Sequence, residues 1–228
     1  MSAGAGYTPP HDLPTSRSPD LPISRLNVEL TVKTEPEREI FIFPLNTVLF
    51  PDGLLPLKVF EQRYIEMTKA CLRDERAFGV CLIKEGREVG TAAVPERVGC
   101  LATIVQWDMP QLGLFHLVAR GGQRFRIREM QVAPNHLISA TIELIPPDAG
   151  TGEVEPACRM LLETVIEKAG AERFPSPPRL DDAAWVGYRL AEILPIEASV
   201  KQELLELTDA GERLARLRKI LIAQGLAA

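Results

Sequence analysis

The chain reads as an α+β protein: a β-rich domain with one early helix, followed by a C-terminal α-helical bundle. Two changes along the sequence predict this. Between residues 39 and 145, short apolar runs alternate with Gly, Pro and Asp turns, and only one long helical period interrupts them. After Pro146-Pro147-Asp148-Ala149-Gly150-Thr151-Gly152 the apolar spacing changes from two to about 3.6, the period of a helix. That proline- and glycine-rich stretch is the expected boundary, giving domains at 38–147 and 153–228.

Residues 1–37 carry Pro9, Pro10, Pro14, Pro19 and Pro22 and few apolar side chains. A segment so poor in burial cannot offset its ordering entropy, so a flexible tail is expected. The stretch 26–33, LNVELTVK, alternates like a weak strand, which leaves a docked extended arm as the other reading.

Ile40–Phe43 is a buried-type strand stopped by Pro44, and Pro51-Asp52-Gly53 marks a turn. Leu55–Phe60 reads as a strand whose Pro56 implies an edge or a bulge. Glu61–Arg76 is the first helix. Tyr64, Met67 and Cys71 lie beside Ile65, Thr68 and Leu72 on its apolar side, and Arg63, Glu66, Lys69 and Arg73 suit the wet side. Ala77–Ile83 is the next strand, with Gly86 in a turn. Val98–Trp107 is apolar on both pleat faces and should be central and covered on both. A loop is expected at 108–111, a strand at Leu114–Ala119, a tight hairpin turn at Gly121-Gly122, and strands at Gln123–Val132 and Leu137–Ile145. Several strands with short turns suggest a closed or nearly closed sheet.

The helical part begins with Glu153–Ala169. Prolines at 175, 177 and 178 interrupt it before a helix at Asp181–Leu194, where Asp181-Asp182 reads as a cap. Ser199 and Gln202 resemble a capping box opening a third helix. Thr208-Asp209 begins a fourth, and Gly225 suits its stop.

The 228 residues carry a formal net charge of -5, which argues against a general attraction to nucleic acid or anionic membranes. No apolar run reaches the roughly 18 residues that span a bilayer, and the first residues do not read as a secretory signal. The four cysteines, Cys71, Cys81, Cys100 and Cys158, form no CxxC pair and have no histidine at ligand spacing. They read as buried thiols in a reducing compartment, with the cytoplasm as the default location.

No P-loop, no strand-linked GxGxxG and no GxSxG elbow occurs. Of the three histidines, His11 lies in the tail, His116 inside a strand and His136 in a turn. A small hydrolase survives only if Cys81 or Cys100 faces His116 in a pocket. Arg124, Arg126 and Arg128 alternate with Phe125 and Ile127, so a strand would project them to one face. They read either as an anion- or RNA-binding stripe or as a solvated face paired with carboxylates. Arg124, directly after the two glycines, also suits a fixed internal hydrogen-bond network.

The segment FPLNTVLFPDGLLPLKVFEQRYIEM (43–67) resembles the N-terminal substrate-binding domain of Lon proteases, in which FPL, VLFP and a PL..FE.RY segment precede a helix. FGVCLI (78–83), VGCLATI (98–104), GGQRFRI (121–127), SATIELIP (139–146) and LLELTDAGERLARLRKIL (204–221) continue the resemblance in order. It implies a PUA-like β-barrel or pseudobarrel, a C-terminal helical bundle, and binding of polypeptide segments. It implies no catalytic residue, no metal and no cofactor: with no Walker motif present, ATP hydrolysis and peptidase activity are not expected of this polypeptide.

The motif residues Pro44, Leu45, Phe50, Pro51, Pro56, Leu57, Phe60, Glu61, Arg63 and Tyr64 are expected to be structural. The apolar ones fill a core, Glu61 favours the helix dipole, and Arg63 and Tyr64 anchor helix to sheet. Binding is expected elsewhere, in the loop 108–113 or a cleft between domains, with Trp107, Met109, Leu112, Arg124, Arg126 and Arg128 as candidate contacts. The expected partners are unfolded or specific polypeptides, with the chain as an adaptor in protein quality control, with no membrane and with nucleic acid disfavoured. An RNA-binding module is the alternative and requires a continuous basic surface through Arg124, Arg126 and Arg128.

Overall fold

A computed structural model describes residues 38–148 and 153–225. The expected tail, the segment 26–33 and His11 lie outside these residues. The class is α+β. In chain order the elements are β1 (Arg38–Leu45), β2 (Leu54–Val59), α1 (Gln62–Arg73), β3 (Phe78–Glu85), β4 (Val94–Gln111), β5 (Leu114–Val132), β6 (Ile138–Leu144), α2 (Pro156–Ala169), α3 (Ala183–Ile193), α4 (Ala198–Glu206) and α5 (Ala210–Ala223). A short 3-10 turn at Ala171–Arg173 follows α2.

The strands run β2-β5-β4-β3-β1-β6, and a further β5–β6 pairing closes the last five into a ring. β1 and β3 are parallel, and every other pair is antiparallel. The interior of the ring is small. Ile42, Phe125, Ile127, Ile138 and Ile142 fill it. A Cβ on Gly79 or Gly99 would lie within 2.7 Å of the Phe125 ring, so both positions must be bare for that ring to fit. The outer face of the ring carries α1. Tyr64 stacks on Phe43 with centroids 4.1 Å apart, and Ile65, Met67 and Cys71 pack on Phe78, Val80, Phe115 and Leu117.

A third core joins ring and helices. Val48, Phe50, Leu82, Val98 and Ile145 pack with Cys158, Leu162, Trp185, Leu190, Leu205, Leu214 and Leu217. Polar contacts seal the same junction. Asp148 lies between Arg124 of β5 and Arg213 of α5 and accepts from both guanidinium groups, with all three side chains at most 2% exposed. Tyr188 of α3 donates to the same carboxylate at 3.0 Å. Arg124 also donates to the carbonyls of Leu205 (2.7 Å) and Leu207, at the end of α4. The internal network read for Arg124 is therefore present, and it sits between sheet and helices. Nearby, Arg189 of α3 donates to Pro51 O at 2.6 Å and to Glu192 at 2.9 Å, tying the turn after Phe50 to α3.

Several local expectations give way to tertiary contacts. Gly121-Gly122 is not a hairpin turn: β5 runs straight through it. Gly121 exchanges backbone hydrogen bonds with Asp52 and Gly53 at 2.8 Å, and a Cβ there would fall 2.0 Å from Phe50 O, so glycine serves a close approach of two backbones. The hairpin turns at Leu112-Gly113 instead, with Gly113 at φ 83°. Residues 108–111 are consequently strand, with Pro110 in the register shift between Asp108 and Gln111, where a missing N–H is tolerated. Val98–Trp107 is covered only in its first half. From Val105 onward β4 is exposed, because β3 pairs with it no further than Ala102. Ser199 lies inside α4 and caps nothing; its box partner Gln202 reaches the ring and donates to Val98 O at 3.0 Å. Asp182 and Asp209 do cap α3 and α5.

Two tests follow from the junction. Replacing Asp148 by Ala leaves two buried guanidinium groups without a countercharge and should lower unfolding free energy by about 3–5 kcal/mol. Arg128→Ala, at an exposed pair with Glu143, should change it by less than about 1 kcal/mol. Urea denaturation of the two variants measures the contrast. The second test uses Glu192, whose carboxyl burial raises from 4.5 to about 7 against the pull of Arg189 and Lys201. Between those values the folded state keeps a proton that the unfolded chain has released. This group therefore favours folding fully below about pH 4.5, and its contribution is lost as pH rises to about 7. Relative to Glu192→Gln, the parent protein should lose on the order of 3 kcal/mol of stability between pH 4.5 and 8. Parallel pH profiles for the two proteins would remove the assignment.

Candidate functional site

β4 and β5 outrun the closed ring. Their outer halves, with β2 alongside β5, make a three-stranded arm: among the described residues β2 pairs only with Phe115–Arg120 of β5, and β4 beyond Ala102 pairs only with β5. Pro56 thus stands on an edge strand, as a strand proline should. The arm cannot bury both faces. Phe115, Leu117 and Ala119 turn one row of side chains into the core under α1, at 0–4% exposure. Beyond that row apolar side chains lie open to solvent.

Trp107 is 52% exposed, Met109 42% and Leu112, at the hairpin tip, 95%. Val105 and Phe60 are also exposed. Trp107 rests against Phe115 with ring centroids 5.9 Å apart, so its indole is held in place while half its surface faces water. On the α1 side a depression of about 450 Å3 is bordered by Ile65, Lys69, Leu72, Trp107, Met109 and Leu112. A second, of about 580 Å3, is bordered by Pro56, Lys58, Trp107, Asp108, His116 and Val118. Trp107 belongs to both. The chemistry offered is a wide apolar contact area with a few charges at its margin, which suits apolar side chains on an extended chain.

The sequence candidates divide. The structure brings Trp107, Met109 and Leu112 together on the arm and separates them from the arginines. Arg124 is buried at the junction, Arg126 is exposed, and Arg128 is engaged by Glu143. The continuous basic surface required by the RNA-binding reading is not formed by these three, because the helices cover the first of them.

The motif residues differ in burial. Pro44, Leu45, Phe50 and Tyr64 are buried, Pro51 and Leu57 are half-buried, and Pro56 is exposed on its edge. Phe60 departs from the reading: it is 57% exposed, since the chain turns from β2 into α1 there. Arg63 is not on the wet side of α1 where the helical spacing put it: it is buried, donates to His136 O at 3.1 Å and to Glu61 at 3.0 Å, and so ties α1 to the β5–β6 turn, the kind of contact expected of it as an anchor. Glu61 stands at the cap position of α1 and also accepts from Gly90 N at 3.3 Å.

The junction between ring and helices, the other place considered for binding, holds a cavity of about 310 Å3 bordered by Pro51, Pro147, Trp185 and Tyr188. The exposed ion pair of Arg179 with Asp52 borders it, and Asp148 and the buried Arg124 line it, so it is not an uncharged apolar cleft.

The cysteine–histidine arrangement is not made. All four cysteines are unpaired and buried. Cys81 belongs to the ring interior, and Cys100 Sγ lies 3.3 Å from Gly122 O. Burial pushes both thiols well above their ordinary value, while His116 is on the open face of the arm. Among the described residues no group of three His, Cys, Asp or Glu side chains is placed to hold a metal ion.

Asp148, Tyr188 and Arg213 went unread as partners of Arg124, because nothing in a sequence pairs residues so far apart. The arm itself had a local signal. Trp107 and Met109 alternate with Gln106 and Asp108, the pattern of a strand continuing to the glycine at 113.

The family pattern described as the ATP-dependent protease La (LON) substrate-binding domain matches residues 39–223. A Lon protease of Methylocella silvestris is 26% identical over 187 residues, covering 76% of this chain and 22% of the relative. One of Escherichia coli is 26% identical over 199 residues, covering 82% and 25%. The chain spans about a quarter of the length of such relatives. Among solved structures, a Lon N-terminal domain protein from Xanthomonas campestris is 35% identical, with a TM-score of 0.65, over 80% of this chain and 98% of that one. The N-terminal domain of a Mycobacterium avium complex Lon protease shares the fold at 20% identity and a TM-score of 0.59, over 79% and 96%. With the ring, the early helix and the helical end all inside the matched span, this chain belongs to the family of the Lon substrate-binding domain.

Proposed function

We propose that this chain is a non-catalytic polypeptide-binding module and that the exposed face of the β4–β5 arm receives apolar side chains of extended, unfolded client segments. The observation that carries the reading is the cluster of Trp107, Met109 and Leu112. These are three large apolar side chains open to solvent on a paired, ordered hairpin and bordering two depressions. Family membership supports substrate binding as the role. The strand edges of the arm, unpaired among the described residues, add a second source of affinity, because an extended client can hydrogen-bond to an open edge while its side chains enter the depressions. A role as an adaptor in protein quality control, and a reducing compartment such as the cytoplasm, fit four unpaired buried thiols and the absence of a helix long and apolar enough to cross a membrane among the described residues.

Two tryptophans make the reading testable. Trp185 is buried, so the solvent-sensitive fluorescence belongs to Trp107. Adding a polypeptide kept unfolded by thiol alkylation should shift that emission to the blue and protect it from acrylamide. Trp107→Ala with Met109→Ala and Leu112→Ala should weaken association, followed by titration calorimetry, at least about tenfold, at roughly 1 kcal/mol or more for each well-packed contact. Because all three side chains are exposed, thermal stability should barely change. Equal affinity in the triple variant, or no association of the parent protein with any unfolded chain, would sink the proposal.

A further inference from the structure

The two long edges of the arm are not alike. A strand edge presents N–H and C=O groups that pair with any extended chain, and folded proteins blunt such an edge with a proline, a lysine or a short strand. β2 is blunted in this way. It is six residues long, Pro56 near its middle has no N–H to offer, and Lys58 follows. β4 is 18 residues long, and between Ala102 and Met109 it has neither proline nor lysine. β3 begins at Phe78, opposite Ala102, so beyond that point no strand among the described residues lies on this side of β4.

Towards the hairpin tip the edge closes. Asp108 Oδ1 accepts from Met109 N at 2.8 Å, and Pro110 has no N–H. Residues 103–108 are the stretch left open. All of them are exposed except the half-buried Ile104. α1 stands over one face beside this stretch. Its Ile65, Lys69 and Leu72 form one wall of the depression of about 450 Å3, and Trp107, Met109 and Leu112 form the other. A strand laid along β4 there turns every second side chain towards that depression.

We infer that a bound polypeptide joins the sheet as a strand along residues 103–108 of β4, and not along β2. The inference rests on the polypeptide-binding reading and names the backbone edge through which it acts. The chemistry of the edge selects the partner. A row of alternating backbone donors and acceptors is matched by another extended backbone, whatever its sequence. Six residues of β4 span roughly 20 Å, which sets the length of client engaged. Side chains contribute at alternate positions, through the depression. Such a surface accepts many sequences but only unfolded ones, because a folded client has already paired its own N–H and C=O groups.

The probe is a short acetylated and amidated peptide in which valine alternates with threonine, with lysines at both ends. It is added in excess to the full chain, and amide hydrogen exchange is followed residue by residue by NMR. Amides of residues 103–108 that point away from β5 should slow at least about tenfold, while those of Leu54–Val59 keep their rates. Two further peptides carry N-methyl groups on all valine amides or on all threonine amides. Each keeps its side chains and loses the donors of one edge, so one of the two should bind at least about tenfold more weakly than the parent peptide. Slowing at Leu54–Val59 instead, or at no amide of the arm, overturns the inference. Equal binding of the three peptides does the same. So does protection of residues 103–108 already present without peptide: lost on dilution, it assigns the edge to a second copy of this chain, and independent of dilution, to the chain itself. Trp107 emission separates this inference from the reading beneath it. An emission shift without protection of β4 strikes strand addition alone. Neither shift nor protection with any unfolded chain strikes both.

Discussion

Asp148 is the last residue before the passage from sheet to helices, and it carries the only negative charge in contact with Arg124 and Arg213 among the described residues. Two cations and one anion are withdrawn from water together. Such a cluster is tolerated only when nearly every donor has an acceptor. Here the carbonyls at the end of α4 and the Tyr188 hydroxyl complete the set. The arrangement demands that β5, α3, α4 and α5 all be in place at once. It thereby fixes how the helices sit on the ring, and the apolar core around Phe50, Val98 and Trp185 fills the same junction.

That junction explains where exposed apolar surface remains. The helices cover the ring on one side and α1 covers another, so the part of the sheet left bare is the portion that outruns both, the β4–β5 arm. An apolar patch on a loose loop would collapse onto its neighbours or be ordered at an entropic cost on each binding event. An apolar patch on paired strands, with Trp107 braced by Phe115, is held open in advance.

The strands and helices themselves were largely legible. The run Ile40–Phe43, the stripe of Tyr64, Met67 and Cys71, and the caps Asp182 and Asp209 depend on local spacing and local hydrogen bonds, which a sequence displays directly. The misreadings share one cause. Gly121-Gly122 looks like a turn because turns need glycine, yet the demand there comes from the backbone of Phe50, far away in sequence. Arg63 looks wet because arginines usually are, yet the carbonyl of His136 waits above it. Phe60 looks buried because phenylalanines usually are, yet the chain leaves the core at that point.

The sequence alone determined the α+β class, the order of elements and, through the FE.RY segment and its neighbours, the family. It also named Trp107, Met109 and Leu112, since large apolar residues beside a polar alternation are visible in any strand. What it could not decide is which charges face water. Arg124, Arg126 and Arg128 are equivalent in the sequence, evenly spaced on one strand. Only the packing of α4 and α5 over the first of them, with Asp148 as shared countercharge, turned one arginine into a structural bolt and left the other two at the surface. Burial is a property of what arrives from elsewhere in the chain, and that is set by tertiary contacts.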